Sequence, residues 1–490
     1  MLLPLKNIAY VSHYNIEVSL THISYRTFFD RSGVLAPRRS ARIAAYWTGL
    51  FNWLGNIAGD SSFAFIFAQF VSAALATGGF DPLLTPQLVG LAIAVLFIWS
   101  VINCFNIQSI CWVNNLAALI QASTIISLVT VVLLSAQSFN SVNYVLTEFN
   151  NDTGFEETYY VIILSILFPL FGFAGYDGPA HLAEETKDSS TAAPMGIIYT
   201  VLATGVFGLV LIIVLMISMQ DIEDAISGYS GNAAIQIISQ NCGQYVASIF
   251  AWMLVLNIFF CGCSSVTVTS RIWFALCRDK ATIFSEILSV VNPTFGSPIY
   301  GIAFIFVVQS ILLLLPLNSD KGAEAFISIV GITVVGLQIS YGIPIFLKVL
   351  SFMDSEQHAY VTERMKNSDM ALGIFSLPLG ILSCLWLSVT TIILLLPTTY
   401  PITSASMNFT IVAVGFVIFF GVVNWELNSK HTFRGPPRDD DDVIEEAVVE
   451  VDIKAEMGTD ESSQDDYKIV STSSSLLLTY LSHHAVPCPP

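Results

Sequence analysis

The chain is 490 residues long, 54% hydrophobic and only 11% charged, with a mean hydropathy of +0.69; soluble domains carry about 25% charged residues. This composition excludes an ordinary soluble globular protein, and 19 Lys and Arg against 37 Asp and Glu leave no basic surplus for binding nucleic acid. The net charge of -18 is concentrated: residues 439–466 hold 13 acidic side chains against one lysine, too polar to bury a core, so 427–490 reads as a disordered acidic cytoplasmic tail.

In chain order, residues 1–41 contain no apolar run of spanning length and no secretory signal. Ten apolar windows follow, at 44–76, 88–106, 111–135, 159–183, 195–219, 244–271, 298–317, 322–349, 372–396 and 404–426. Each is long enough, at about 1.5 Å per residue, to cross a hydrocarbon core of about 30 Å. The expected fold class is therefore all-α, a polytopic membrane protein with its transmembrane domain over 42–426. The eight cysteines show neither a disulfide framework nor zinc-ligand spacing, and no motif implies a metal or cofactor.

Lys and Arg orient the spans, because short cytoplasmic loops are enriched in them. Six precede the first window, seven occupy alternate connections or adjoining helix ends, and five follow the last; Lys321 alone falls on the opposite side. Both termini are thus expected in the cytoplasm. The sequon at Asn151 falls on the predicted outer side as a glycosylation acceptor, whereas the one at Asn408 lies close to a helix.

The fourth window is interrupted. Its sequence FPLFGFAGYDGPAHLAEET passes Pro169, Gly172, Gly175, Gly178 and Pro179 before Glu184 and Glu185. Unwound backbone within a membrane is tolerated where protein or an aqueous cavity satisfies it, and in secondary transporters such breaks surround substrate. The alternative is a packing kink, since glycine and proline are ordinary in membrane helices.

Asp60 lies deep in the first window; an ionisable group there points to proton or cation coupling, or to an acid satisfied by neighbouring helices. The end of the sixth window, FFCGCSSVTVTSRIWFALCRDK, offers Ser264, Ser265, Thr267 and Thr269 for interhelical hydrogen bonds, then Arg271 as part of a gate or of a lipid-facing anchor.

Several separated motifs, in order, resemble the amino acid-polyamine-organocation superfamily, and within it the amino acid and choline permease branch. They are YWTGLFNWLGNIAGDSSFAFIFAQF, FGFAGYDGPAHLAEETKDSSTAAPMGIIYT, SSVTVTSRIWFALCRDK, ISYGIPIFLKVL, FSLPLG, and YPITSASMN with NWELNSKHTFRGP. The resemblance implies an inverted-repeat transporter fold of twelve helices, of which the ten windows correspond to family helices three to twelve. It also implies a permease for an amino acid or related amine, coupled to a proton or Na⁺, in the plasma membrane. By position it implicates Phe171, Gly172, Phe173, Ala174, Gly175 and Tyr176 in substrate contact, with Asp177 nearby as a structural or coupling residue. Glu184 and Glu185, by their place in the sequence, fall at the predicted cytoplasmic mouth as gate candidates.

Residues 1–41 hold neither the expected first pair of helices nor a glycine break. The expectation is either a start assigned too far downstream or a genuine short form, which would misfold, need a partner subunit to complete the site, or work differently. Choline, another quaternary amine or a polyamine is the alternative cargo, and a nontransporting receptor or assembly subunit the alternative class.

Overall fold

The chain divides into two units, Met1–Pro436 and Pro437–Pro490. The computed structural model describes residues 28–435 of the first, apart from 106, 148–150, 152, 183–188, 319–321, 366–372, 403–407 and 434. Residues 436–490 of the expected tail and residues 1–27 of the N-terminal segment lie outside the described residues, as do Glu184 and Glu185. The expected boundary at 427 falls too early, because Trp425–Ser429 and Lys430–Thr432 continue the last span as helix and Ser429 and Phe433 are buried.

Nine helices among the described residues are long and apolar enough to cross a membrane, and a tenth apolar segment, Thr158–Gly172, is shorter. A short helix α1 (Phe28–Leu35) precedes them. The spans are α2 (Ala41–Thr77), α3 (Thr85–Asn103), α4 (Ile107–Ser135), the broken segment α5 (Thr158–Leu164), α6 (Leu167–Gly172) and α7 (Gly178–His181), then α8 (Ser189–Ser218), α9 (Gln244–Arg278), α10 (Ile299–Leu312), α11 (Gly322–Ser351), α12 (Ser376–Leu394) and α13 (Thr410–Asn424). The all-α membrane architecture expected from the apolar windows is present. The window at 159–183 is not one helix: it turns at Ser165 and again across 173–177.

Two helices form the centre. The most apolar windows of α2 and α11 are 61% and 72% buried, against 11% for α8, so α8 belongs to the periphery, and its exposed side chains, such as Tyr199 and Leu202, face lipid like Phe416 and Phe419 of α13. The central pair approaches closely because both helices carry glycine at the crossing. A Cβ on Gly336 would lie 2.8 Å from the Gly55 backbone nitrogen, and one on Gly55 would lie 2.7 Å from Leu337 Cγ. Small residues at a crossing let backbones approach where side chains would hold them apart.

α9 closes the other side of α2. Trp53 stacks on Trp273 at 4.3 Å between ring centroids, and Trp273 on Phe304 of α10 at 4.9 Å. Gly262 of α9 gives way to the Trp99 ring of α3, which a Cβ would meet at 2.1 Å. At the start of α2, Tyr46 donates to the Gly421 carbonyl at 3.0 Å and Arg42 to the Phe433 carbonyl at 2.8 Å, tying the first described span to the last.

Gly336→Ala places a methyl against backbone that cannot rotate away, an overpacking that costs about 1–3 kcal/mol. Its monodisperse fraction on size exclusion should fall relative to Gly415→Ala, whose added Cβ meets nothing within 4 Å. Equal yields of the two variants would contradict the close crossing.

Candidate functional site

The break in the fourth span has a local cause. Pro169 sits in the first turn of α6 and Pro179 in that of α7, where a backbone N–H has no intrahelical partner and its loss costs little. Between these helices, Gly175 holds φ +81°, a conformation that costs an L residue about 1–2 kcal/mol and glycine almost nothing. A Cβ there would meet nothing within 4 Å, so the side of Gly175 that lacks a side chain faces open space, while its carbonyl accepts from the Gly178 N–H at 3.1 Å.

Asp177 anchors the turn. It is 2% exposed and accepts hydrogen bonds from three elements: Asn52 Nδ2 of α2 at 3.1 Å, Tyr341 Oη of α11 at 2.7 Å and His181 Nε2 of α7 at 2.9 Å. Three donors meet the carboxyl's lone pairs inside the bundle, where an unmet acceptor costs about 1–3 kcal/mol. The side chain after the unwound turn is thereby fixed to both central helices.

A cavity of about 470 Å³ opens on one side of the turn, within the 300–1,000 Å³ range of small-molecule sites. Its wall comprises Asn56 and Phe63 of α2, Asn114 of α4, Ala174 and Gly175 of the turn, and Cys261, Ser264, Ser265 and Thr267 of α9, with parts of α7 and α8. On the other side a pocket of about 40 Å³ is lined by Phe173, Tyr176, Gln338, Tyr341 and Trp386 among others, room for a water or two.

The six residues implicated by resemblance therefore divide. Gly175 lines the large cavity, Ala174 lines both, and Phe173 and Tyr176 line the small one; the Tyr176 ring lies 5.0 Å from that of Tyr341. Phe171 lies 6.0 Å from the Phe63 ring and packs on the core. Gly172 ends α6 and has open space where a Cβ would stand.

Asp60 is fully buried one layer behind the cavity. Its Oδ1 accepts a short hydrogen bond from Ser265, a cavity-wall residue, and its Oδ2 accepts from Gln309 Nε2 of α10 at 2.6 Å. The other amide atom, Gln309 Oε1, is buried with no hydrogen-bond partner among the described residues. Arg271 is half-buried in α9 and is not part of the cavity wall. Asn151 is exposed, its Nδ2 donating to the Phe155 carbonyl at 2.6 Å, whereas Asn408 is buried and donates to the Leu394 and Leu396 carbonyls.

Sequence reasoning did not single out Asn52, Asn56, Gln309 or Tyr341. The signal for the first two was present: Asn52, Asn56 and Asp60 recur every fourth residue, one face of a helix. Gln309 and Tyr341 are lone polar residues whose partners lie 249 and 164 positions away.

A bundle of long apolar helices around a broken span and a partly polar cavity is the architecture of a polytopic membrane transporter. Residues 28–419 match the amino acid permease family, and the chain belongs to that family. It is 30% identical over 421 residues to amino-acid permease BAT1 of Arabidopsis thaliana, covering 83% of this chain and 79% of that protein. Identity to amino-acid permease 2 of Neurospora crassa is 26% over 428 residues, covering 86% and 76%. Identity to a choline transporter of Saccharomyces cerevisiae is 24% over 408 residues, covering 82% and 69%.

Removing the anchor should be graded by the number of donors stranded. Asp177→Leu leaves three buried donors without their acceptor and should lower the melting temperature in detergent well below that of Tyr341→Phe, which leaves the carboxyl two of its three donors. Equal melting temperatures for the two variants would contradict the anchoring role.

Proposed function

We propose that this protein is a secondary permease that carries an amino acid or related amine, holds it in the 470 Å³ cavity, and couples its movement to a proton. The observation that carries the reading is the juxtaposition of unwound backbone at Ala174 and Gly175 with the polar side chains of α2, α4 and α9. A zwitterion needs such dipoles at both ends, and one bundle rocking against the rest exposes a central site alternately to each side.

An amino acid is favoured over choline by the composition of the wall. Quaternary ammonium recognition relies on several aromatic faces around the cation. Among the described residues of this cavity, Phe63 is the aromatic one, while Phe173 and Tyr176 line the pocket on the other side of the turn. The distribution of Lys and Arg supports cytoplasmic termini, and the plasma membrane is the location that the family resemblance favours. Exposed Asn151 is the acceptor proposed for glycosylation on the outer side.

Asp60 is the proposed coupling group. A proton on Oδ2 turns that oxygen from acceptor to donor, and Gln309 Oε1 becomes its acceptor once the amide rotates. Ser265 links this exchange to the cavity, because its hydroxyl is committed to Asp60 while the residue lines the wall. Asp177, met by three donors, takes the structural role.

Asp60→Asn keeps the shape and removes the titration. In proteoliposomes it should abolish accumulation driven by an inward proton gradient while retaining exchange of internal for external substrate. Unchanged proton dependence would remove Asp60 from the coupling role, and dependence on Na⁺ alone in the wild type would replace the ion.

A further inference from the structure

We infer that Asn56 Oδ1 is the group that recognises the substrate's primary ammonium, and so selects amines bearing N–H over quaternary ones. The inference rests on the permease reading and names a determinant within the same cavity.

Asn56 is 8% exposed and lines the cavity. Its Nδ2 donates to the Asn52 carbonyl at 2.9 Å and to Asn52 Oδ1 at 3.2 Å. A backbone carbonyl only accepts, so the amide is fixed with nitrogen toward Asn52 and Oδ1 turned away. Among the described residues no group donates to Asn56 Oδ1. An amide oxygen on the cavity wall without a protein donor is an acceptor open to whatever occupies the cavity.

The polarity of this oxygen is set from behind. Asn52 Nδ2 donates to the Asp177 carboxyl, so Asn56, Asn52 and Asp177 form a chain in which every N–H points toward the carboxyl. Hydrogen bonds aligned in this way polarise one another and leave the terminal oxygen more negative. The end open to the cavity therefore favours a cationic donor.

The neighbouring hydroxyls are already directed elsewhere. Ser265 donates to Asp60, and Thr267 donates to Asn103 Oδ1 at 2.6 Å. Ser264 lies 2.7 Å from Asn114 Oδ1 as its donor. A primary ammonium can place an N–H on Asn56 Oδ1, whereas a trimethylammonium group has none to offer. A site built around a hydrogen bond rejects the analogue that cannot make it, because its own polar group is then buried unpaired.

The test uses the full chain in proteoliposomes with the twenty protein amino acids, γ-aminobutyrate and choline as probes. The best-transported amino acid is then measured against its N-trimethyl betaine. Asn56→Leu is expected to raise KM for that amino acid at least tenfold with kcat held within threefold, and to collapse the wild type's preference over the betaine toward parity. Asn56→Gln keeps both an amide N–H and an oxygen acceptor and should retain the preference for the amino acid over its betaine. A purely structural role would instead lower kcat or protein yield and leave the preference intact. Amino acid uptake with a KM and a preference indifferent to Asn56→Leu overturns this assignment alone. Wild-type uptake of choline only, or of nothing in the panel, overturns the amino acid reading and this assignment with it.

Discussion

A carboxyl group inside a helical bundle must be met by donors, and the hydrogen bonds to Asp177 come from three elements that are far apart in the chain. Asn52 and Tyr341 reach it only because α2 and α11 lie close together, and that approach depends on Gly55 and Gly336. His181 supplies the third donor from α7, one helical turn beyond Asp177. With the carboxyl fixed, the turn over 173–177 has a defined position against the central pair. The geometry of the large cavity, and of the backbone that faces it, follows from this contact.

The unwound turn separates two environments. On one side Phe173 and Tyr176 fill space against Tyr341 and Trp386, leaving a pocket of about 40 Å³. On the other, Ala174 and Gly175 present little more than main chain to a cavity more than ten times larger. The aromatic side chains thus hold the turn in place while its backbone stays bare toward the cavity. The second carboxyl, Asp60, is separated from that cavity by a single hydroxyl, that of Ser265. The two acids differ in what surrounds them: Asp177 is met by three donors, while Asp60 has beside it an amide oxygen, Gln309 Oε1, with no partner among the described residues.

Much of this was legible in the sequence, for reasons specific to each element. Long apolar runs give the spans directly, and the alternation of proline and glycine from Pro169 to Pro179 marks two helix starts with a glycine-containing turn between them. The earlier turn at Ser165 has no such mark, because apolar residues persist across it. Hydropathy registers solvent preference, not helical continuity. Asn52 and Asn56 stand at helical spacing from Asp60, yet a neutral amide in an apolar run is a weak signal beside a carboxylate. Tyr341 and Gln309 carry no local sign of their roles, since each is defined by a partner on a helix far away in the chain. The same is true of Gly336, whose importance comes from the backbone it meets on α2. Glu184, Glu185 and the acidic tail lie outside the described residues.

The central claim is that substrate occupies the cavity between α2, the unwound turn and α9, and a native side chain reports on it. Cys261 lines that cavity. In a variant whose sole cysteine is Cys261, reconstituted in liposomes, the rate of modification by a small hydrophilic thiol reagent should fall as the transported amino acid is added, with half-protection near its KM for uptake. A modification rate unchanged at substrate concentrations that saturate uptake would place the substrate elsewhere and contradict the account.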